Sequence, residues 1–174
     1  MHKQNDSELI AQSIDGNQLA YAELVNRYKN ALYRHCFAIV RDEDVAEDIA
    51  QETFVTAYYK LSSFDPSYRF ATWLFKIGTN KALNWLKKAS RESPMSDALL
   101  ERTVSSLPSP ERKALHAELD QAIDLLTPKY RVAIRLHYWE GMKYSEIAMI
   151  LSASEGTVKS WLSRAKTQLR KELL

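Results

Sequence analysis

Apolar residues along this 174-residue chain recur at intervals of three and four, which is the spacing of amphipathic α-helices. Leu24, Tyr28, Leu32 and Ile39, for example, predict a helix over about 17–40. The other predicted helices cover about 44–61, 69–89, 111–126, Pro128 to near Gly141, 144–151 and 155–172. We expect Thr127 and Ser154 to act as N-caps, because short hydroxyl side chains accept hydrogen bonds from the first helical turn. The predicted fold class is all-α.

Residues 90–110 interrupt this pattern, because Ser and Pro are frequent and the apolar spacing is weak. We interpret 93–110 as a linker, partly extended. The predicted organisation is two small helical domains, 1–92 and 111–174, joined by this linker.

The composition argues against several other classes of protein. Four Gly and five Pro are few for an all-β chain with many tight turns. Cys36 is the single cysteine, so a disulfide framework is excluded. The first residues contain no apolar signal segment, and no apolar run approaches the ~18 residues that a membrane span needs. We therefore expect a cytoplasmic protein that does not insert into a membrane.

Charge is unevenly distributed, although the net charge is only +2. Residues 42–52 hold six acidic residues and no basic one, whereas residues 66–91 hold six basic residues and no acidic one. Residues 112–174 carry a net charge of +4. This segregation predicts surfaces with different partners.

The acidic segment opens the predicted helix 44–61, whose small and apolar residues fall on one side. Asp44, Asp48 and Gln51 fall on the opposite side, where like charges four residues apart cost some helix stability. Two interpretations remain open for this face: an ordinary solvated surface, or a docking surface for a basic partner.

The basic segment interleaves cations with aromatic residues, which is the chemistry of single-stranded DNA binding: phosphates meet the cations and unstacked bases meet the rings. Lys76, Asn80 and Lys87 align on one side of the predicted helix. The alternative is that the aromatic residues belong to the core, and we expect this of Phe75, Trp85 and Tyr58. The alternative is weaker for Phe64 and Tyr68, which lie in a polar loop where burial is harder.

The last two predicted helices have the proportions of a helix-turn-helix. Val158, Leu162, Ala165 and Leu169 form one stripe that would pack on Ile147, Ala148 and Leu151. The opposite face carries side chains that suit base edges and phosphates, including Lys159, Ser163 and Arg164. The alternative is an amphipathic surface helix whose basic face is only solvated.

Four stretches, in order along the chain, resemble conserved motifs of extracytoplasmic-function (ECF) RNA polymerase sigma factors. Residues 44–54 resemble region 2.2, residues 70–85 resemble regions 2.3 and 2.4, and residues 126–136 resemble region 4.1. Tyr144–Ala148 together with Glu155–Ser160 resembles region 4.2. The resemblance covers about residues 18–172.

This resemblance implies a sigma factor that directs core RNA polymerase to promoters, recognises their −35 and −10 elements and helps to melt the −10 region. It implies contact with the polymerase β′ clamp helices through Asp44, Asp48, Gln51 and Glu52, and contact with the β flap. The implied −10 residues are Phe64, Tyr68, Arg69, Trp73, Lys76, Asn80 and Lys87. The implied −35 residues are Thr157, Lys159, Ser160, Ser163, Arg164 and Lys166.

The resemblance also implies an anti-sigma factor as a partner. The main alternative function is a helix-turn-helix regulator that acts without being a polymerase subunit, and a second alternative is a helical module that binds only protein. The four histidines show no metal-ligand spacing with Cys36, and no nucleophile or phosphate-loop motif is present. We therefore expect no enzyme activity, no catalytic residue, no metal and no cofactor.

Overall fold

The computed structural model describes residues 5–92 and 113–173, and within these ranges the chain folds into eight α-helices with a short 3-10 turn at Leu61–Ser63. In the first range the helices are α1 (Asp6–Ile14), α2 (Gln18–Val40), α3 (Glu43–Lys60) and α4 (Phe70–Glu92). In the second they are α5 (Lys113–Asp124), α6 (Pro128–Tyr138), α7 (Tyr144–Leu151) and α8 (Glu155–Leu173). The all-α prediction is confirmed. The predicted linker at 93–110 lies outside the described residues.

Each predicted helix is present, with ends that differ by a few residues, but helix α1 was not predicted. Its N-cap is Asn5, whose side chain accepts a hydrogen bond from the Glu8 amide while the Glu8 carboxylate accepts one from the Asn5 amide. This reciprocal capping box stabilises a nine-residue helix that buries Leu9 and Ile10.

The two predicted N-caps differ in outcome. The Ser154 hydroxyl accepts a hydrogen bond from the Thr157 amide at 3.0 Å, as expected. Thr127 is the N-cap residue of α6, as predicted, but its side chain makes no capping hydrogen bond. Pro128 occupies the first helical position, as predicted, where its fixed backbone angle suits the start of a helix.

Helices α2, α3 and α4 pack around a core in which Leu24, Leu32 and Phe75 are fully buried. Gly78 lies where α4 crosses this core. A Cβ at Gly78 would come within 2.9 Å of the Leu32 side chain and 3.5 Å of the Thr53 hydroxyl. The glycine therefore permits a close approach of α4 to its neighbours.

Helices α7 and α8 form a helix-turn-helix. Ser152 ends α7 in the left-handed conformation (φ 52°), which turns the chain toward α8. The predicted packing is confirmed, since Ile147, Val158 and Leu162 are fully buried, although Leu169 and Leu151 are only partly covered.

The two halves of the chain pack directly against each other, α4 on α7 and α2 on α6. Arg41, the left-handed residue that ends α2, donates two hydrogen bonds of 2.7 Å to the Asp124 carboxylate at the end of α5. The buried Arg131 of α6 donates to the Ala38 carbonyl at 2.8 Å and to the Asp124 carbonyl at 2.9 Å. Burial and the neighbouring Arg41 lower the pKa of Arg131 to about 10, so this guanidinium stays charged at neutral pH.

Candidate nucleic-acid and protein-binding surfaces

The acidic face of α3 points to solvent. Asp44, Asp48, Gln51 and Glu52 are all exposed, while the stripe predicted to face inward is buried: Ala46, Ala50, Thr53, Phe54, Ala57 and Leu61. The separation follows from helical periodicity, which places these two sets on opposite sides. The structure therefore brings the four predicted polymerase-binding residues together on one accessible surface.

A groove runs beside this face, between α3 and α4. It is lined by Asp48, Glu52 and Val55 on α3 and by Lys81 on α4. Lys81 lies 3.4 Å from the Glu52 carboxylate, which is itself largely exposed. An exposed pair of this kind contributes little to stability, so both side chains can change partners.

The loop between α3 and α4 holds an aromatic cluster. The Phe64 ring lies 5.2 Å from the Trp73 ring and 5.9 Å from the Phe70 ring. Phe70 is buried, whereas Phe64 and Trp73 are half-buried. The loop is turned by Asp65, which accepts a hydrogen bond from the Ser67 amide that lowers the pKa of the Asp65 carboxyl.

The two loop aromatics that were singled out differ in environment. Phe64 packs within the aromatic cluster, so part of its ring serves the core. Tyr68 is half exposed and open to a partner. Of the three aromatic residues expected in the core, Phe75 is buried and Trp85 is half-buried. The expectation for Tyr58 is wrong, because 39% of this residue is exposed. Its ring packs edge-on against the Tyr21 ring.

The polar side chains predicted to bind the −10 element, on α4 and just before it, have unequal access to solvent. Asn80 and Lys87 are exposed, as predicted for a nucleic-acid surface. The Lys76 ammonium instead donates to the Ile150 carbonyl at 3.1 Å and to the Ser152 hydroxyl at 2.5 Å, both at the end of α7. Arg69 is more than half exposed and lies 3.4 Å from the Glu146 carboxylate of α7.

One residue of this surface was missed by sequence reasoning. The buried Thr72 donates its hydroxyl to Glu146 at 2.7 Å. The sequence did indicate this position, because Thr72 lies three residues after Arg69 and four before Lys76, and residues at these spacings share a helix face.

The outer face of α8 is accessible along most of its length. Lys159, Ser160, Ser163, Arg164 and Lys166 are exposed, whereas Thr157 is half-buried and its hydroxyl shares a hydrogen bond with the Ser154 hydroxyl. Lys166 lies 5.5 Å from the centre of the Tyr138 ring, and a side-chain hydrogen bond with Tyr138 raises the pKa of Lys166. Trp161 packs at the margin of the core with Lys129 5.8 Å from its ring centre.

Neither a metal site nor a membrane span is found where the structure describes the chain. Residues 5–92 and 113–173 bring together no group of three or more metal-binding side chains. In the same ranges, no helix is both long enough and apolar enough to cross a bilayer.

Two family profiles match the chain. Sigma-70 region 2 matches residues 24–92, and Sigma-70, region 4 matches residues 116–169. The first match includes the acidic face of α3 and the predicted −10 surface of α4, and the second includes the helix-turn-helix.

Several characterised proteins resemble the chain over nearly its whole length. The ECF RNA polymerase sigma factor SigW of Bacillus subtilis is 33% identical over 94% of both chains. The RNA polymerase sigma-H factor of Pseudomonas aeruginosa is 32% identical over 98% of this chain and 95% of its own.

Two solved structures share the fold. CnrH, in complex with the cytosolic domain of CnrY, superposes with a TM-score of 0.70 at 29% identity, covering 97% of this chain and 96% of CnrH. The sigma factor RpoE of Bartonella quintana, in complex with the anti-sigma factor NepR, has a TM-score of 0.77 at 28% identity, covering 88% and 96%.

Proposed function

Because this chain belongs to the ECF group of sigma-70 RNA polymerase sigma factors, we propose that its three accessible surfaces divide the work of promoter recognition among themselves. The helices of residues 1–92 bind core polymerase and the −10 element, and those of residues 111–174 bind the −35 element, with 93–110 as the connection. The proposal is supported by the exposure of both the acidic face of α3 and the basic face of α8, each opposite a buried apolar stripe.

The acidic face of α3 is the proposed contact with the polymerase β′ clamp helices. Asp44, Asp48, Gln51 and Glu52 are exposed on successive turns. The like charges at these positions weaken the isolated helix, and a basic partner would remove that repulsion. The proposed contact with the β flap lies within residues 111–174.

The outer face of α8 is the proposed reader of the −35 element in the major groove. Lys159, Ser160, Ser163, Arg164 and Lys166 are exposed there, with Thr157 at the edge. Arginine donates two hydrogen bonds to guanine and lysine pairs with phosphates, so this face has groups for both specificity and affinity.

The −10 element is proposed to bind as an opened strand at the start of α4. Tyr68, Trp73 and the neighbouring Phe64 offer rings for an unstacked base. Arg69, Lys76, Asn80 and Lys87 would meet the backbone. Extruding a base costs a few kcal/mol, which stacking and pocket contacts offset.

The remaining parts of the proposal concern context. An anti-sigma factor is a proposed partner, since two structural neighbours are bound to CnrY and to an anti-sigma factor. The protein is proposed to work in the cytoplasm and to catalyse no reaction itself. Initiation chemistry then belongs to the polymerase.

Run-off transcription on a promoter library with purified core polymerase tests the proposal. We expect transcripts only when this protein is added. Asp48→Arg should abolish association with core polymerase while leaving the helical circular dichroism unchanged, because it reverses a charge at the centre of the acidic face. Asp15→Arg, which changes an exposed acid at the end of α1, is the matched control and should associate normally.

Two results would contradict the proposal. Failure of core polymerase to start transcripts with this protein would remove the sigma-factor assignment. Binding of double-stranded promoter DNA with full specificity and no polymerase would favour the helix-turn-helix regulator instead.

A further inference from the structure

Helix α1 packs beside the segment that leads into the aromatic loop between α3 and α4. It spans Asp6–Ile14, outside the match to the Sigma-70 region 2 profile, which begins at residue 24. Its residues Leu9 and Ile10 are buried, and the helix contacts the 3-10 turn Leu61–Ser63. The next residue along the chain is Phe64, the first aromatic residue of the loop. Helix α1 therefore contacts the point from which the loop starts.

A second contact joins the first residue of α1 to the same region. One oxygen of the Asp6 carboxylate accepts a hydrogen bond from the Tyr28 hydroxyl, and the other accepts one of 3.0 Å from the Arg27 guanidinium. Burial and the hydrogen bond to Asp6 raise the pKa of Tyr28, so the hydroxyl keeps its proton at neutral pH and is the donor. The Asp6 and Arg27 side chains are only 31% and 17% exposed, which shields these bonds in part from water.

The Tyr28 ring connects this carboxylate to the aromatic cluster. Its centre lies 5.5 Å from that of Phe70, which is buried. The Phe70 ring lies in turn 5.9 Å from Phe64 and 5.8 Å from Trp73, two of the rings proposed to receive an unstacked base. Because buried side chains are closely packed, a shift of Tyr28 would allow Phe70 to move and would change the position of both rings.

The charge of Asp6 is balanced within its own surroundings. Arg27 pairs with Asp6 and also with the Glu23 carboxylate, both at 3.0 Å. A carboxylate that is paired in this way adds little field at a distance from the pair. Any effect of Asp6 on a DNA strand would therefore come from the position of Tyr28 and not from repulsion of phosphates.

We propose that Asp6 is a positioning residue for recognition of the −10 element. The Asp6 carboxylate holds the Tyr28 ring against Phe70. Phe70 in turn keeps Phe64 and Trp73 in the arrangement that receives an unstacked base. This inference rests on the proposed function of the aromatic loop, and it gives α1 a role in DNA recognition although none of the proposed DNA-binding residues belongs to it.

Two substitutions remove the same hydrogen bond from its two ends. Tyr28→Phe removes only the hydroxyl and keeps the ring that packs on Phe70. Asp6→Ala removes the acceptor, while the capping box at the start of α1 remains to hold the helix. Glu23→Gln is the matched control, because it removes a neighbouring carboxylate and leaves the hydrogen bond of Tyr28 in place.

Hydrogen–deuterium exchange followed by mass spectrometry measures the loop directly in the full-length protein without DNA. The amides of Phe64, Ser67 and Tyr68 are hydrogen-bonded within the loop, so their exchange reports its opening. We expect this exchange to be roughly two- to ten-fold faster in both variants, the factor that corresponds to one hydrogen bond. The double variant should be no faster than the faster single variant, because both changes break one bond.

Exchange in α3 provides the internal comparison. A general loss of stability would accelerate exchange in α3 as much as in the loop, whereas a positioning role accelerates the loop alone. The Glu23→Gln control should match the wild type in both segments. Unchanged exchange in the loop, or equal acceleration of the loop and α3, would overturn the proposal.

The second measurement is run-off transcription from the promoter library with core polymerase and each variant. Asp6→Ala and Tyr28→Phe should reduce the base preference at −10 positions by roughly two- to ten-fold and leave the −35 preference unchanged. A protein that is merely less stable would lower the yield from all promoters alike and keep both preferences. An unchanged −10 preference in both variants would overturn the proposal.

The outcomes separate this inference from the proposed function. If core polymerase starts no transcripts with the wild-type protein, the sigma-factor role and the −10 role of Asp6 are both overturned. If wild-type transcription is normal and the −10 preference survives both substitutions, the sigma-factor role remains and only the role of Asp6 is removed.

Discussion

Asp124 is the acidic residue on which the contact between the two halves depends most directly. Its carboxylate accepts two hydrogen bonds of 2.7 Å from Arg41 and lies 3.8 Å from Arg135. Only 10% of the Arg41 side chain and 20% of the Asp124 side chain are exposed. Asp124→Asn would leave the Arg41 guanidinium without its anionic partner in a largely buried position, whereas Arg135 keeps its contact with Asp120.

The expected cost follows from how far this pair is buried. Exposed ion pairs are worth about 0–1 kcal/mol, and breaking a fully buried pair costs about 3–5 kcal/mol. With both partners mostly covered, we expect Asp124→Asn to lower the free energy of unfolding by about 2–3 kcal/mol. In urea, this corresponds to a midpoint lower by roughly 1 M.

Asp120→Asn is the matched control, because Asp120 lies one turn earlier on α5 and also approaches Arg135. That contact is 3.5 Å long and the Asp120 side chain is 56% exposed. Its loss should cost no more than about 0.5 kcal/mol. The two variants are compared by urea unfolding under identical conditions, followed by circular dichroism at ~222 nm, which reports helix content.

The result that would refute this reasoning is an Asp124→Asn variant as stable as Asp120→Asn. The geometry of the Arg41 pair would then carry no net stability. A double-mutant cycle with Arg41→Gln assigns the loss to the pair if the two single effects are not additive.

Three further predictions follow from buried or exposed features of the same helices. Gly78→Val should destabilise the protein by about 1–3 kcal/mol through overpacking against Leu32, whereas Gly156→Ala, whose Cβ would meet only the Ser154 hydroxyl at 3.8 Å, should be neutral or slightly stabilising in the same urea assay. Burial lowers the pKa of His35 to about 3, so below pH 6.5 the unfolded chain binds a proton that the folded protein does not. The free energy of unfolding is therefore highest above pH 6.5 and decreases as the pH drops toward 3. Between pH 7 and pH 5 this loss is about 2 kcal/mol, and His35→Gln should show a correspondingly flatter dependence; an identical dependence in both proteins would contradict the assignment. Arg164→Ala should weaken binding to a −35 duplex by about 1–3 kcal/mol if Arg164 makes a bidentate base contact, and an unchanged promoter preference in run-off assays would remove it from the −35 surface.

The helices and their inward faces could be predicted because they depend on local periodicity. The stripe of α3 is buried and its acidic side exposed, as the spacing required. Helix α1 was overlooked although Asn5 and Glu8 have the spacing of a capping box. Residue type correctly placed Thr127 at the N-cap position of α6, but the capping hydrogen bond expected of its hydroxyl is absent, because that bond depends on backbone and side-chain geometry that residue type does not fix.

The contacts between the halves could not be predicted, because they join residues far apart in sequence whose relative position depends on tertiary packing. Lys76 was expected on an open nucleic-acid face, and the structure instead pairs it with Ile150 and Ser152 on α7. Helical periodicity correctly placed Lys76 on a different face from Phe75. Periodicity does not determine, however, whether an outward side chain is exposed to solvent or packs against another pair of helices.

This distinction affects how salt should act on the two proposed DNA-binding surfaces. A lysine or arginine that binds DNA from solvent releases a counterion from the strand and makes affinity salt-dependent. Arg69 must also leave Glu146, and salt weakens that partly exposed pair. Added salt therefore weakens contacts with DNA and at the same time weakens the Arg69–Glu146 pair, and the two effects partly cancel for the single strand. No such cancellation applies to Arg164 and Lys159 on the open face of α8, so the two DNA surfaces should differ in salt dependence as well as in access.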